Sequence, residues 1–199
     1  MIEISNIMTM GFNPAIRGMR NPLNSWNRSD TSGYDIGEND LTLMRKLFNS
    51  GTDHRKFMRM IVVYMDIIAP FYWWKEFDTY KVGTVANSCS TMHKLTYKEF
   101  ELKDFSTEHL DELDISPTLK LLNDYRDAYL KTKDKNYWWK IIQLLPSSYN
   151  QRRSVMVSYE ALANMYNARK NHKLDEWVIF CDTMCEELPY FKEILGIEK

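Results

Sequence analysis

Cysteine is scarce in this sequence: Cys89, Cys181 and Cys185 are the only three in 199 residues. Three thiols make no even disulfide framework and no secretory leader is expected, so a reducing compartment, the cytoplasm, is the expected setting. Charge of one sign is missing too. With 26 basic and 27 acidic residues the formal charge is −1, which argues against a general polyanion binder, so no nucleic-acid partner is expected. Apolar runs reach strand length and are broken by charge, so no segment is expected to span a membrane. There is no internal repeat or low-complexity tract, and no glycine-rich phosphate loop, nucleophile elbow or recognisable Cys-His pairing.

Methionine and aromatic residues are plentiful, with 12 Met and an aromatic share of 14%. Such a surface suits a subunit interface as readily as a core. The organising stretch runs from Asp66 to His93. It leaves an apolar strand, Ile61 to Ile68, whose β-branched and aromatic residues predict burial on both faces or nearly so. Pro70 cannot continue a central strand but suits the first turn of a helix. Phe71, Tyr72, Trp73, Trp74 and Phe77 then offer more ring surface than one amphipathic face needs, and part of it is expected to meet a subunit or planar ligand. From Lys81 to His93 no period survives, which predicts a polar loop.

Elsewhere, Met1 to Met10 predicts a short strand. Asn13 to Gly37 reads as a long surface loop, with Arg17, Arg20 and Arg28 as candidates for phosphate contact or as solvated charges. Leu41 to Asn49 has helical spacing, with Asn39 or Asp40 as cap and Gly51 as stop. His54, in the polar bridge that follows, is a candidate ligand or base. Pro117 to Lys131 and Tyr137 to Leu145 predict helices. Arg152 to Val157 is a short strand or the run-in to a helix that Ser158 caps and Arg169 ends. Leu174 to Leu188 predicts a last helix. Cys181, Cys185 and His172 can be drawn as a metal site, but two thiols in an apolar helical stripe are ordinarily buried small hydrophobes, and no metal is assigned.

Several windows, in order, resemble one family, the flavin-dependent thymidylate synthases. Leu41 to Pro70 looks like that family's helix, Gly-His bridge and strand. The loop after it resembles the signature Arg-His-Arg-x-x-Ser-x-Asn-Glu-x-Ser-x-Arg-Tyr with about one extra residue. The stretch LLPSSYNQRRSVMVSYEALANMYNARKNHKLDEW is similar to the family's Leu-Pro, helix and terminal Arg. Residue by residue, Arg169 matches the arginine that contacts the pyrimidine and Ser90 the serine beside the nucleotide, the two carrying the catalytic and substrate-binding roles. Asn164, Lys81 and Asn87 match cofactor-binding positions, and Thr84 stands at the first signature serine. The departures are Thr79 and Tyr80 for the first Arg and the His of the triplet, Ser88 for Glu, Met92-His93 for Arg-Tyr, Ser158 and Glu160 for Asn-x-Arg, and Thr52 for the bridge histidine. The nucleotide arginine expected before the Leu-Pro falls on Ile142 or Gln143.

The resemblance implies an α+β fold, a single domain over residues 1–199 with a central, mainly antiparallel sheet flanked by helices. Its segments would be an irregular 1–38, a helix, strand and loop over 39–93, a helical 94–145, and late helices over 146–199. It further implies FAD, with NADPH and methylenetetrahydrofolate as co-reactants in the reductive methylation of dUMP, and a homotetramer. Two readings follow: a divergent flavin-dependent enzyme acting on a pyrimidine nucleotide, or a non-catalytic member that binds a nucleotide or a protein partner.

Overall fold

The computed structural model describes residues 1–197. In chain order the elements are β1 (Glu3–Met10), α1 (Phe12–Arg20), α2 (Glu38–Asn49), β2 (Val62–Pro70), α3 (Phe71–Phe77), β3 (Thr84–Ser88), α4 (Thr91–Lys94), α5 (Glu112–Thr132), α6 (Lys135–Leu144), β4 (Asn150–Ser158), α7 (Tyr159–Arg169), α8 (Asp175–Glu187) and α9 (Phe191–Leu195). The strands pair in the order β1-β2-β4-β3, an antiparallel sheet flanked by helices, which is the α+β class expected. The β2–β4 register follows from two bonds. Tyr159 N donates to Ile61 O at 2.9 Å and Phe71 N to Tyr149 O at 3.1 Å, so rising numbers on one strand meet falling numbers on the other.

The chain forms two compact units, the first of residues 1–3, 67–79 and 87–153, the second of residues 4–66, 80–86 and 154–199. In the first, Leu95, Phe100, Phe105, Leu122 and Ile141 form a buried cluster on which α5 and α6 close. Trp73, Trp74 and Phe77 are at most 1% exposed. These three aromatics of α3 therefore fill this chain's own core, whereas Phe71 and Tyr72 are half-buried. Trp74 Nε1 donates to Gln151 O at 3.0 Å, and Arg153 lies 4.2 Å above the Trp74 ring while donating to Asp78 at 2.7 Å, which fixes α3 against β4.

In the second unit the segment expected to be a long loop begins as α1, whose Ala15, Ile16 and Met19 share a buried face. The irregular remainder is tied down by two acids. Asp40, fully buried, accepts from Arg20 Nε at 2.6 Å, from the hydroxyls of Ser29 and Thr31 at 2.7 Å, and from the amides of Asp30 and Thr31 at 3.1 Å. Asp30 in turn accepts from the amides of Asn39 and Asp40, at 2.9 and 3.1 Å, so it caps α2 in place of Asn39 or Asp40. A Cβ on Gly37 would stand 2.1 Å from Asp30 Cγ, which is why the residue before α2 carries no side chain. Arg20 is consequently a structural cation, 4% exposed, and no phosphate contact falls to it.

β2 differs from expectation in its burial. Its odd residues Val63, Met65, Ile67 and Ala69 are buried, whereas Tyr64 is 42% exposed, so one face is covered and the other open. On the open side Asp66 accepts from Asn6 Nδ2 at 2.8 Å and pairs with the Ser154 hydroxyl. Asn6 holds φ at +54°, a left-handed kink in β1 that asparagine tolerates better than a branched residue. At the start of α7, Ser158 Oγ accepts from Ala161 N at 3.3 Å. Ser158→Ala should cost about 1 kcal/mol of unfolding free energy, read as a lower urea midpoint at constant slope.

Candidate functional site

The segment expected to be a loop after Tyr80 is ordered as β3 and α4, because Thr84, Val85 and the following residues extend the sheet beyond β4. Of the residues singled out from sequence, Asn87 and Ser90 belong to the first unit and Lys81, Asn164 and Arg169 to the second. The side chain of His93 lies outside the described residues.

In the first unit, Ser90 lies on a cleft of about 360 Å³ between the end of β3, α4 and the start of β4. The backbone closes its floor: Cys89 N donates to Arg152 O and Gln151 Nε2 to Cys89 O, both at 2.9 Å. Lys94, Lys98 and Arg152 line it together with Ser90, Thr91 and Asn150, and no carboxylate is among the described lining residues. Lys98 is ion-paired with Asp104, and Lys94 sits 3.8 Å over the Tyr97 ring. Tyr149 forms an aromatic wall, and burial pushes its hydroxyl above the ordinary tyrosine range. Hydroxyls and cations without a lining acid make a surface for an anion. Asn87 is exposed on β3 and does not line this cleft.

Arg152 is the residue that sequence reasoning missed. It lines the cleft from beyond Pro146, whereas the resemblance directs attention to Ile142 and Gln143 ahead of it. The available signal was strand alternation, which sets Arg152 on the same face of β4 as Asn150 and Ser154.

In the second unit, Arg169 ends α7 half-buried among rings. Its Nε donates to Tyr80 OH at 3.0 Å, and its Cζ lies 5.8 Å from the Tyr80 ring centroid and 5.1 Å from that of Trp177. Its Nη1 stands 2.9 Å from His172 Nε2. The late helix and the segment after α3 thus meet at Arg169 and Tyr80. Lys81 and Asn164 are exposed. The Thr84 hydroxyl oxygen is buried with no hydrogen-bond partner. Near the start of α7, Glu160 holds Arg59 in a two-point ion pair, one leg of which spans 3.1 Å, so an acid stands where the family has an arginine.

The late cysteines carry no site. Cys181 is 1% exposed and burial, with Cys185 and Asp182 nearby, pushes its thiol up to about 12. Among the described residues no group of three or more His, Cys, Asp or Glu side chains is placed to hold a metal ion. At pH 7.5 a disulfide reagent should label exposed Cys89 within minutes and Cys181 only after unfolding, a difference that peptide mass spectrometry reads directly. His54 is exposed on a separate pocket of about 220 Å³ that Asp53, Lys56, Met19, Phe57 and Met60 also line. No described helix is long and apolar enough to cross a membrane.

Neither a family model nor a curated protein matches the sequence. The fold is matched by solved structures. A flavin-dependent thymidylate synthase, ThyX, from Helicobacter pylori, complexed with FAD and dUMP, superposes with a TM-score of 0.78 over 97% of each chain at 18% identity. A second structure of Helicobacter pylori Thymidylate Synthase X with FAD and dUMP gives a TM-score of 0.78 at 17% identity, over 98% of this chain and 97% of that one.

Proposed function

The chain has the fold of the flavin-dependent thymidylate synthases, and from that premise we propose that it binds a pyrimidine nucleotide of the dUMP type and FAD. The cleft that Ser90 shares with Arg152 and Lys94 carries this reading. A phosphate there receives the Ser90 hydroxyl, the Arg152 fork and the Lys94 point charge, the donor set an anionic oxygen cluster needs. That set is assembled without the Arg-His-Arg triplet, so the lost signature arginines are replaced by cations from other positions. The resemblance assigns the pyrimidine to Arg169, whose guanidinium is held by the Tyr80 hydroxyl and lies beside the Trp177 ring.

The flavin fit rests on Thr84. A buried hydroxyl without a protein partner is a position that a bound polar ring edge satisfies. The resemblance assigns Lys81, Asn87 and Asn164 to the flavin. A bound flavin supplies the hydride of a reductive methylation, with NADPH and methylenetetrahydrofolate as co-reactants; this chain's residues bind, orient and exclude water. The open sheet face of the second unit, with Met8 at 58%, Met10 at 54% and Tyr64 at 42% exposure, supports assembly into a homo-oligomer, a tetramer on the family pattern. A non-catalytic nucleotide holder is the second reading, favoured by Glu160, an acid paired with Arg59 where the resemblance expects an arginine.

Two measurements test the proposal. Purified protein, as isolated or after incubation with FAD, should show a flavin absorption band; protein that stays colourless and takes up no FAD supports the non-catalytic reading. In calorimetry, Arg152→Ala should weaken dUMP binding about tenfold while leaving deoxyuridine unchanged, the loss of one charge-assisted contact to a phosphate. Equal losses for both ligands would place the phosphate elsewhere.

A further inference from the structure

The turn between α5 and α6 gathers charge of one sign in a chain that is otherwise balanced. From Tyr129 to Lys140 stand Lys131, Lys133, Lys135 and Lys140 against the single acid Asp134, whereas the whole chain carries a formal charge of −1. All four lysines are exposed. The acids nearby are engaged elsewhere. Asp124 pairs with Lys120 at 2.7 Å and Asp127 with Arg126 at 2.9 Å, while Asp134 Oδ1 accepts from Asn136 N at 2.9 Å and so caps α6. The four lysines are thus left without a carboxylate partner among the described residues.

Three of them lie over rings instead. Lys133 Nζ stands 5.9 Å from the Tyr129 ring centroid and Lys135 Nζ 5.9 Å from that of Trp139, and Lys140 Nζ lies 5.0 Å from Tyr125 and 5.1 Å from Tyr137. Trp138 and Trp139 meet edge to face with centroids 4.9 Å apart, and Trp139 and Leu130 are exposed. Amphipathic rings interleaved with lysines, whose stems follow apolar surface while their heads reach outward, suit the boundary between water and a bilayer. A single strand of nucleic acid is the competing occupant. It stacks its bases on open ring faces, but the faces of Tyr125, Tyr129, Tyr137 and Trp139 here each carry an ammonium, so the lipid surface is the better match.

We propose that the α5–α6 turn docks this chain on an anionic lipid surface, with the lysines at the headgroup phosphates and Trp139 and Leu130 at the boundary below them. The attachment is peripheral, since no described helix is long and apolar enough to cross a membrane. It is independent of the nucleotide reading, because none of these residues lines the cleft of Ser90 and Arg152.

The test uses the full chain and sedimented vesicles of phosphatidylcholine, alone or mixed in equal parts with phosphatidylglycerol. The chain should pellet with the mixed vesicles and stay in the supernatant with the neutral ones. It should leave the mixed vesicles as salt approaches about 1 M, where the screening length is about 3 Å. Combining Lys133→Gln, Lys135→Gln and Lys140→Gln should lower the partition coefficient about a hundredfold, from about fivefold for each lysine near such a surface. These side chains are exposed, so the fold should be kept, with an unchanged thermal melt as the check. Combining Lys46→Gln, Lys56→Gln and Lys173→Gln removes the same charge from other exposed positions and should leave partition nearly unchanged. Brominated acyl chains in the mixed vesicles should quench tryptophan emission of the wild type more than that of Trp139→Phe. Equal losses in the two triple variants, or equal quenching with and without Trp139, would overturn the proposal. So would wild-type chain that ignores both kinds of vesicle, or that binds a labelled single-stranded oligonucleotide more tightly than the mixed vesicles and loses it in the first triple variant.

Discussion

Asp40→Ala is expected to lower the unfolding free energy by about 3 to 5 kcal/mol, the range for removing one partner of a buried ion pair. The loss is large because the other partner stays. Arg20 is 4% exposed, so without the carboxylate its charge remains in a dry site with only the Ser25 carbonyl, 3.2 Å away, to accept from it. The hydroxyls of Ser29 and Thr31 and the amides of Asp30 and Thr31 lose their acceptor in the same step, and with them goes the turn that aims Asp30 at the start of α2. Asp40→Asn, which keeps one acceptor oxygen, should cost less. Urea midpoints at an unchanged slope report both. The pH dependence fixes the sign. Burial pushes the Asp40 carboxyl up, but hydrogen bonds from Ser29, Thr31 and Arg20, with the attraction of the guanidinium, outweigh it and leave the group below the ordinary carboxylate range. A carboxyl whose folded value lies below its unfolded value of about 3.9 contributes stability that is complete above that value and fades as pH falls through the folded one. The gap between wild type and Asp40→Ala should therefore be constant from pH 7 to pH 5 and narrow below pH 4. A gap that stays the same down to pH 3 would mean that the carboxylate charge contributes nothing.

Local patterns foretold most elements because they are local. The period of α5 and α6, Pro70 at the turn into α3 and the Ser158 cap each follow from a few neighbouring residues. What could not be read depends on contacts far apart in sequence. Asn13 to Gly37 has loop composition, yet α1 folds there because Ala15, Ile16 and Met19 find a core and because Asp40, many residues later, gathers Ser29 to Thr31. β3 has no apolar period because it lies at the sheet edge, exposed along most of its length, and its pairing comes from β4 rather than from its side chains. The same reason hid Arg152. A cleft formed by a strand end, a one-turn helix and a neighbouring strand has no linear motif, so its cations are visible only once the strands are paired. The resemblance did name Ser90, which lies in that cleft, and Arg169, which meets Tyr80.

Arg169→Ala should reduce dUMP affinity by about 2 to 5 kcal/mol, which is roughly thirtyfold to several thousandfold, the cost of truncating a preorganised, partly desolvated charged group. The magnitude depends on preorganisation. Tyr80 and Trp177 flank the guanidinium and the Tyr80 phenol accepts from Nε, so little side-chain entropy is lost when a carbonyl arrives. Arg169→Lys should rescue little, because an ammonium cannot donate to Tyr80 and to a base from one fixed plane. The fold should survive both changes. Arg169 is half-buried at a helix end, and its removal should lower stability by about 1 kcal/mol, well short of the effect at Asp40. Calorimetry with dUMP and deoxyuridine separates the base from the phosphate. A base-reading group loses both ligands in equal measure when Arg169 is removed, whereas a loss confined to dUMP would move Arg169 to the phosphate and leave the pyrimidine without its reader.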